Sequence, residues 1–199
     1  MTKVYLFCSR NKDNKEVPNF KERRKAVFCD DGTKARLMFE RFKEEGVAGE
    51  FCRCYESVNA RDEVKAKKAL VCRLVMDDNV TLDKVESLAV SLAMKPENAA
   101  EKKWLFDFDC DDYNLAQEFC DDVKMLVEPV AVNLFRSPNG YSVVVKHGFD
   151  TRELLEKWNK LLQKQNPNWA VELKRDAMLP VRWGKKNGGL RLSVFVLYV

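Results

Sequence analysis

The 199-residue chain carries 35 Lys and Arg against 31 Asp and Glu, a net charge of +4, and 46% of its residues are hydrophobic. That is enough to bury a core as one medium domain or two small ones closely joined, and with only 8 Gly and 6 Pro and no repeat it excludes a fibrous or disordered chain. No apolar stretch approaches the roughly 18 residues of a membrane span, and Met1-Thr2-Lys3-Val4-Tyr5 runs straight into a strand-like segment, so neither a span nor export is expected. The 7 cysteines are odd in number and scattered, as expected for reduced thiols in a cytoplasm. With His147 the sole histidine, a Cys/His zinc site lacks ligands, and no Ser-His-Asp, Cys-His or H-E-x-x-H arrangement can be assembled.

Lys3 to Cys8 predicts a strand, followed by a polar loop and a second strand around Lys25 to Cys29. Asp31-Gly32-Thr33 then starts a helix with Ala35, Met38, Phe39 and Phe42 at helical spacing, stopped by Gly46. Glu50 to Val58 predicts a strand. The next helix has Val64, Val71, Leu74 and Val75 on one face, and another begins at Thr81 with Val85, Leu88 and Leu92 as its stripe. Beyond residue 101 the order is strand (Lys103 to Asp109), helix (Asp111 to Val123), strand (Pro129 to Arg136), hairpin turn (Pro138-Asn139-Gly140) and strand (Tyr141 to His147). Asp150 then caps a helix carrying Leu154, Leu155, Trp158, Leu161 and Leu162, and Trp169 to Arg175 is a further strand. This β-α-β-β-α-β order is that of a ferredoxin-like sheet. Val181 to Trp183 and Leu190 to Val199, joined by a loop from Gly184 to Gly189, predict an appended hairpin. The loop lacks Walker spacing.

Asp107 and Asp109 interrupt an apolar strand, Trp104-Leu105-Phe106-Asp107-Phe108-Asp109. Alternation puts both on one face, roughly 7 Å apart. Two carboxylates so placed call for a cation, and hard oxygen ligands suit Mg²⁺ or Mn²⁺. The plain alternative is a solvated face paired with Lys146 or Arg175. Trp104, Phe106 and Phe108 share the opposite face and belong to the core. Acids crowd residues 107 to 128, whereas 174 to 191 and 21 to 25 are basic, as a metal-plus-polyphosphate site requires; plain surface charge is the alternative. Lys146 shares strand parity with Ser142 and, with Arg175, is placed to stabilise phosphate charge.

The second half resembles the archaeo-eukaryotic primase and primase-polymerase superfamily. Leu105-Phe106-Asp107-Phe108-Asp109 looks like that family's hhhDhD strand motif. Ser137-Pro138-Asn139-Gly140-Tyr141-Ser142 looks like its small-residue turn, with Ser142 where the family has a histidine that contacts nucleotide phosphates. Asp176, in Leu173-Lys174-Arg175-Asp176-Ala177, stands as the third acid. The resemblance implies an α+β chain: an N-terminal α/β part over 1–101 and an RRM-like core with a C-terminal hairpin over 102–199.

It further implies metal-assisted nucleotidyl transfer on nucleic acid. Asp107, Asp109 and Asp176 would hold Mg²⁺ or Mn²⁺, Ser137, Asn139 and Ser142 would position the nucleotide, and Lys146 and Arg175 would meet phosphates. Serine for histidine puts polymerisation in question. The alternative is a catalytically degenerate primase-like protein, such as a phage or plasmid accessory protein, that binds nucleotides, nucleic acid or a protein partner. An RRM-type RNA binder would want outward aromatics where this chain has acidic or aliphatic residues.

Overall fold

The computed structural model describes residues 1–186 and 191–192, the last two by backbone alone. The chain is mixed α+β and divides into two compact units. The first is Met1–Glu101 with Val181–Arg191, and the second contains Lys102–Pro180.

In the first unit, β1 (Lys3–Ser9) pairs antiparallel with β2 (Arg23–Cys29) and β3 (Phe51–Ser57). Helix α1 (Gly32–Glu44) is started by Asp31, whose carboxylate accepts from the Thr33 N–H at 2.7 Å, satisfying a donor that no helical carbonyl can reach. Its Ala35, Phe39 and Phe42 pack against Tyr5, Phe7, Cys52 and Cys54. Helices α2 (Glu63–Met76) and α3 (Val85–Ala93) complete the described α-helices of this unit.

In α2 the structure reverses the expected facing. Only Ala66 is buried, while Val64, Val71, Leu74 and Val75 are exposed. The heptad-like spacing is present, but the small residue on the other side of the helix is the one that packs. Helix α3 buries Val90, Leu92 and Ala93, so the expected Val85 and Leu88 lie at its margin.

In the second unit the elements run β4 (Trp104–Asp109), α4 (Tyr113–Leu126), β5 (Val132–Arg136), β6 (Tyr141–Val145), α5 (Arg152–Gln165) and β7 (Ala170–Lys174). The sheet order is β5-β6-β4-β7, with every neighbouring pair antiparallel, so β4 is interior. Alternation along β4 gives it two unlike faces. Phe106 and Phe108 are fully buried against Phe119 of α4 and Trp158 of α5, the Phe119 and Trp158 rings meeting edge-on at 5.5 Å. Asp107 and Asp109 fall on the face away from these helices.

Asp112 caps α4 by accepting from Asn114 and Leu115 N–H. Pro129–Ala131 forms a single 3₁₀ turn, which delays β5 to Val132 because proline supplies no ladder donor. Helix α5 starts one residue later than expected, at the Thr151 N-cap, though Asp150 still accepts from the Arg152 N–H at 3.2 Å.

Strand β8 (Met178–Lys185) and the short β9 (Arg191–Leu192) extend the first sheet to β2-β1-β3-β8-β9. Apart from 191–192, the expected strand Leu190 to Val199 lies outside the described residues, as do residues 187–189 of the expected loop. Among the described residues no helix is long and apolar enough to cross a membrane.

Candidate functional site

The end of β4 is held by the β5–β6 hairpin. Ser137 N–H donates to the Gly140 carbonyl at 2.9 Å, closing the turn, and Ser137 itself is buried. A Cβ on Gly140 would lie 2.3 Å from the Phe108 carbonyl oxygen and 2.8 Å from that of Cys110, so the turn lies backbone to backbone on the end of β4. This approach brings Asn139 and Asp109 to one cleft. Both line an open cleft of about 680 Å³ with Pro138, Arg136 and Asp111. Its far wall is the α5–β7 connection: Asn166, Asn168 and Trp169. Asn166 is tied into that connection, accepting from Asn168 N–H through its side chain and from Trp169 N–H through its carbonyl. The Arg136 guanidinium lies 4.5 Å over the Tyr141 ring.

Deeper along the helix-free face, Asp107 is flanked in register by Glu172 of β7 and Ser142 of β6. Its counter-charge is Lys174, which bonds the Asp107 carboxylate directly and lies 3.8 Å from Glu172. Partial burial alone would lower the Lys174 pKa; the Asp107 carboxylate, helped by Glu172 and Asp109, outweighs it and raises the pKa. An ammonium thus answers the demand for a cation at Asp107, in place of the Lys146 or Arg175 that the sequence offers as partners. Ser142 is 1% exposed, and its hydroxyl has no hydrogen-bond partner among the described residues.

The remaining expected site residues lie apart from the cleft lining. Arg175 places its guanidinium 5.2 Å from the Trp104 ring. Lys146 is exposed one residue beyond β6, its N–H bonded to the Ala131 carbonyl, so the strand that would give it the parity of Ser142 has already ended. Asp176 sits in the bend after β7. Among the described residues no three His, Cys, Asp or Glu side chains gather into a group that could hold a metal ion. Of the expected residues the cleft collects Asp109 and Asn139; it adds Asp111, Arg136, Asn166, Asn168 and Trp169, which sequence reasoning passed over. The "Asp-Cys-Asp" continuation of the acidic strand and the arginine just before the turn were the available signals for two of these.

Asp109 and Asp111 supply the donor set that Mg²⁺ takes together with substrate phosphates, one or two carboxylates rather than a complete protein cage. Arg136 brings opposite charge and planar donors to the same cleft. The residues fit a nucleotide-borne divalent ion better than a preformed metal centre. No family model matches this chain, and no curated protein or solved structure matches it. The primase-polymerase resemblance therefore rests on the chain's own motifs.

Proposed function

We propose that the second unit is an RRM-like module of primase-polymerase type that binds a nucleotide with its Mg²⁺ or Mn²⁺ in the cleft at the end of β4, and through it engages nucleic acid. The β-α-β-β-α-β order and the strand order β5-β6-β4-β7 support the module. The observation that carries the binding reading is the approach of Gly140 to the end of β4, by which the acidic strand motif and the small-residue turn meet in one cleft. A nucleotide there would have its phosphates between the Asp109 and Asp111 ion site and Arg136, with Trp169, Asn166 and Asn168 on the opposite wall. Two features weigh toward binding over synthesis: Asp107 is engaged by Lys174, and the Ser142 that stands for the family's histidine is buried.

Calorimetry with Mn²⁺ and a nucleoside triphosphate tests this. Wild type is expected to bind, and Asp109→Ala and Arg136→Ala to bind about tenfold or more weakly, since a charge-assisted bond contributes about 1.5–3 kcal/mol. Equal affinity in all three sinks the proposal. A Mn²⁺-dependent primer-extension assay decides between binding and retained nucleotidyl transfer: synthesis by wild type that vanishes in Asp109→Ala would establish the enzyme.

A further inference from the structure

We propose that α2 is a docking helix for a second copy of this chain, which seats on it the acidic outer face of its own α4. Val64, Val71 and Val75 are 63%, 51% and 73% exposed. They recur at i, i+7 and i+11 with Lys68 at i+4, the spacing of a helical seam that faces a partner. Their own unit does not use that seam, because the side of α2 that packs is marked by Ala66. Val71, Leu74 and Val75 are neighbours on the helix surface, and an exposed apolar cluster of this kind marks an interaction surface.

Charge selects the occupant. Lys65, Lys67, Lys68 and Arg73 stand on α2 against Glu63 alone, and neither Lys67 nor Lys68 has an ion-pair partner among the described residues. The partner face must therefore be apolar and acidic. This chain carries one at the same spacing: Asn114, Glu118, Asp121 and Met125 on the outer side of α4, where Lys124 already pairs with Asp121 at 2.9 Å and Glu118 is the acid left to answer Lys68, with Met125 86% and the adjoining Leu126 54% exposed. Glu118 likewise has no ion-pair partner among the described residues. Because the two patches differ, one contact leaves an unused α2 on one copy and an unused α4 on the other. Left single, such a contact propagates into rings or open chains; made twice about a two-fold axis, α2 to α4 and α4 to α2, it closes as a dimer.

Sedimentation velocity over a concentration series tests this with the full chain. Wild type is expected to shift from monomer to larger species as concentration rises, and less so at high salt. Lys68→Glu and Glu118→Lys should each weaken association by about tenfold or more, by juxtaposing like charges, while their combination restores it. Both changes lie on exposed positions, and an unchanged thermal midpoint shows that the fold persists. A monomer throughout the series overturns the proposal, as does association indifferent to either reversal or a double variant that fails to recover.

Discussion

Gly140 and Glu50 show how single positions hold each unit. At Gly140 any side chain would collide with the backbone of Phe108 and Cys110, atoms that cannot swing aside. Gly140→Ala is expected to destabilise the chain by about 1–3 kcal/mol through overpacking, and to weaken nucleotide binding by moving the hairpin off β4. Urea melts and the same calorimetry measure both.

Glu50, 1% exposed, is held by Arg23 at 2.6 Å and by the Val47 N–H at 2.8 Å. Burial would raise its pKa, but the hydrogen bonds from Arg23 and the Val47 N–H and the Arg23 charge outweigh it, so the carboxyl titrates below its ordinary range. A depressed folded pKa gives stability that is present above the unfolded value of about 4.3 and lost as pH falls through the folded one. Arg23→Ala leaves a buried unpaired carboxylate. We expect a loss of about 3–5 kcal/mol at neutral pH, smaller in acid, read from urea midpoints at two pH values.

At the scale of elements, β7 is an edge strand whose outward backbone groups need partners. At Val171, Asn159 of α5 provides them: its amide donates to the Val171 carbonyl at 3.1 Å and its oxygen accepts from the Val171 N–H at 3.0 Å. Asn159→Leu is expected to cost about 1–3 kcal/mol and to speed hydrogen exchange at Val171, because both backbone groups lose their partner. Elements of this kind were legible in the sequence where a local rule governs them. The Asp31 cap, the Asn139-Gly140 turn and the two faces of β4 follow from hydrogen-bond need, turn chemistry and period-two alternation. The facing of α2 was not, since valines at helical spacing describe a stripe without saying whether the fold or a partner covers it.

For the molecule as a whole, the cysteines report burial in both units. Six of the seven are buried and Cys72 alone is exposed. Burial drives the Cys52 and Cys54 thiols up to about 12, and Cys120 to about 11. A thiol-reactive dye should therefore label about one group rapidly in the native protein and the rest only on unfolding; prompt labelling of several would contradict the packing. The raised values also predict alkaline weakening. The unfolded thiols ionise above about 8.5 while the folded ones stay protonated, so stability falls as pH rises from there toward 11 to 12, by up to about 1.4 kcal/mol per pH unit for each thiol.

The sequence by itself determined the order and type of the elements, which strand carries the acids and on which face they lie. These depend on residues within a few positions of one another. Tertiary structure decided which groups meet across long stretches of chain. Lys174 reaches Asp107 through the β4–β7 register, Arg136 and Asn139 come to line one cleft with Asp109 through the close approach of Gly140, and Asn166, Asn168 and Trp169 join them from the α5–β7 connection. Register and approach are set by long-range pairing and packing, and a one-residue slip would exchange every partner, so no local pattern in the chain could have named them.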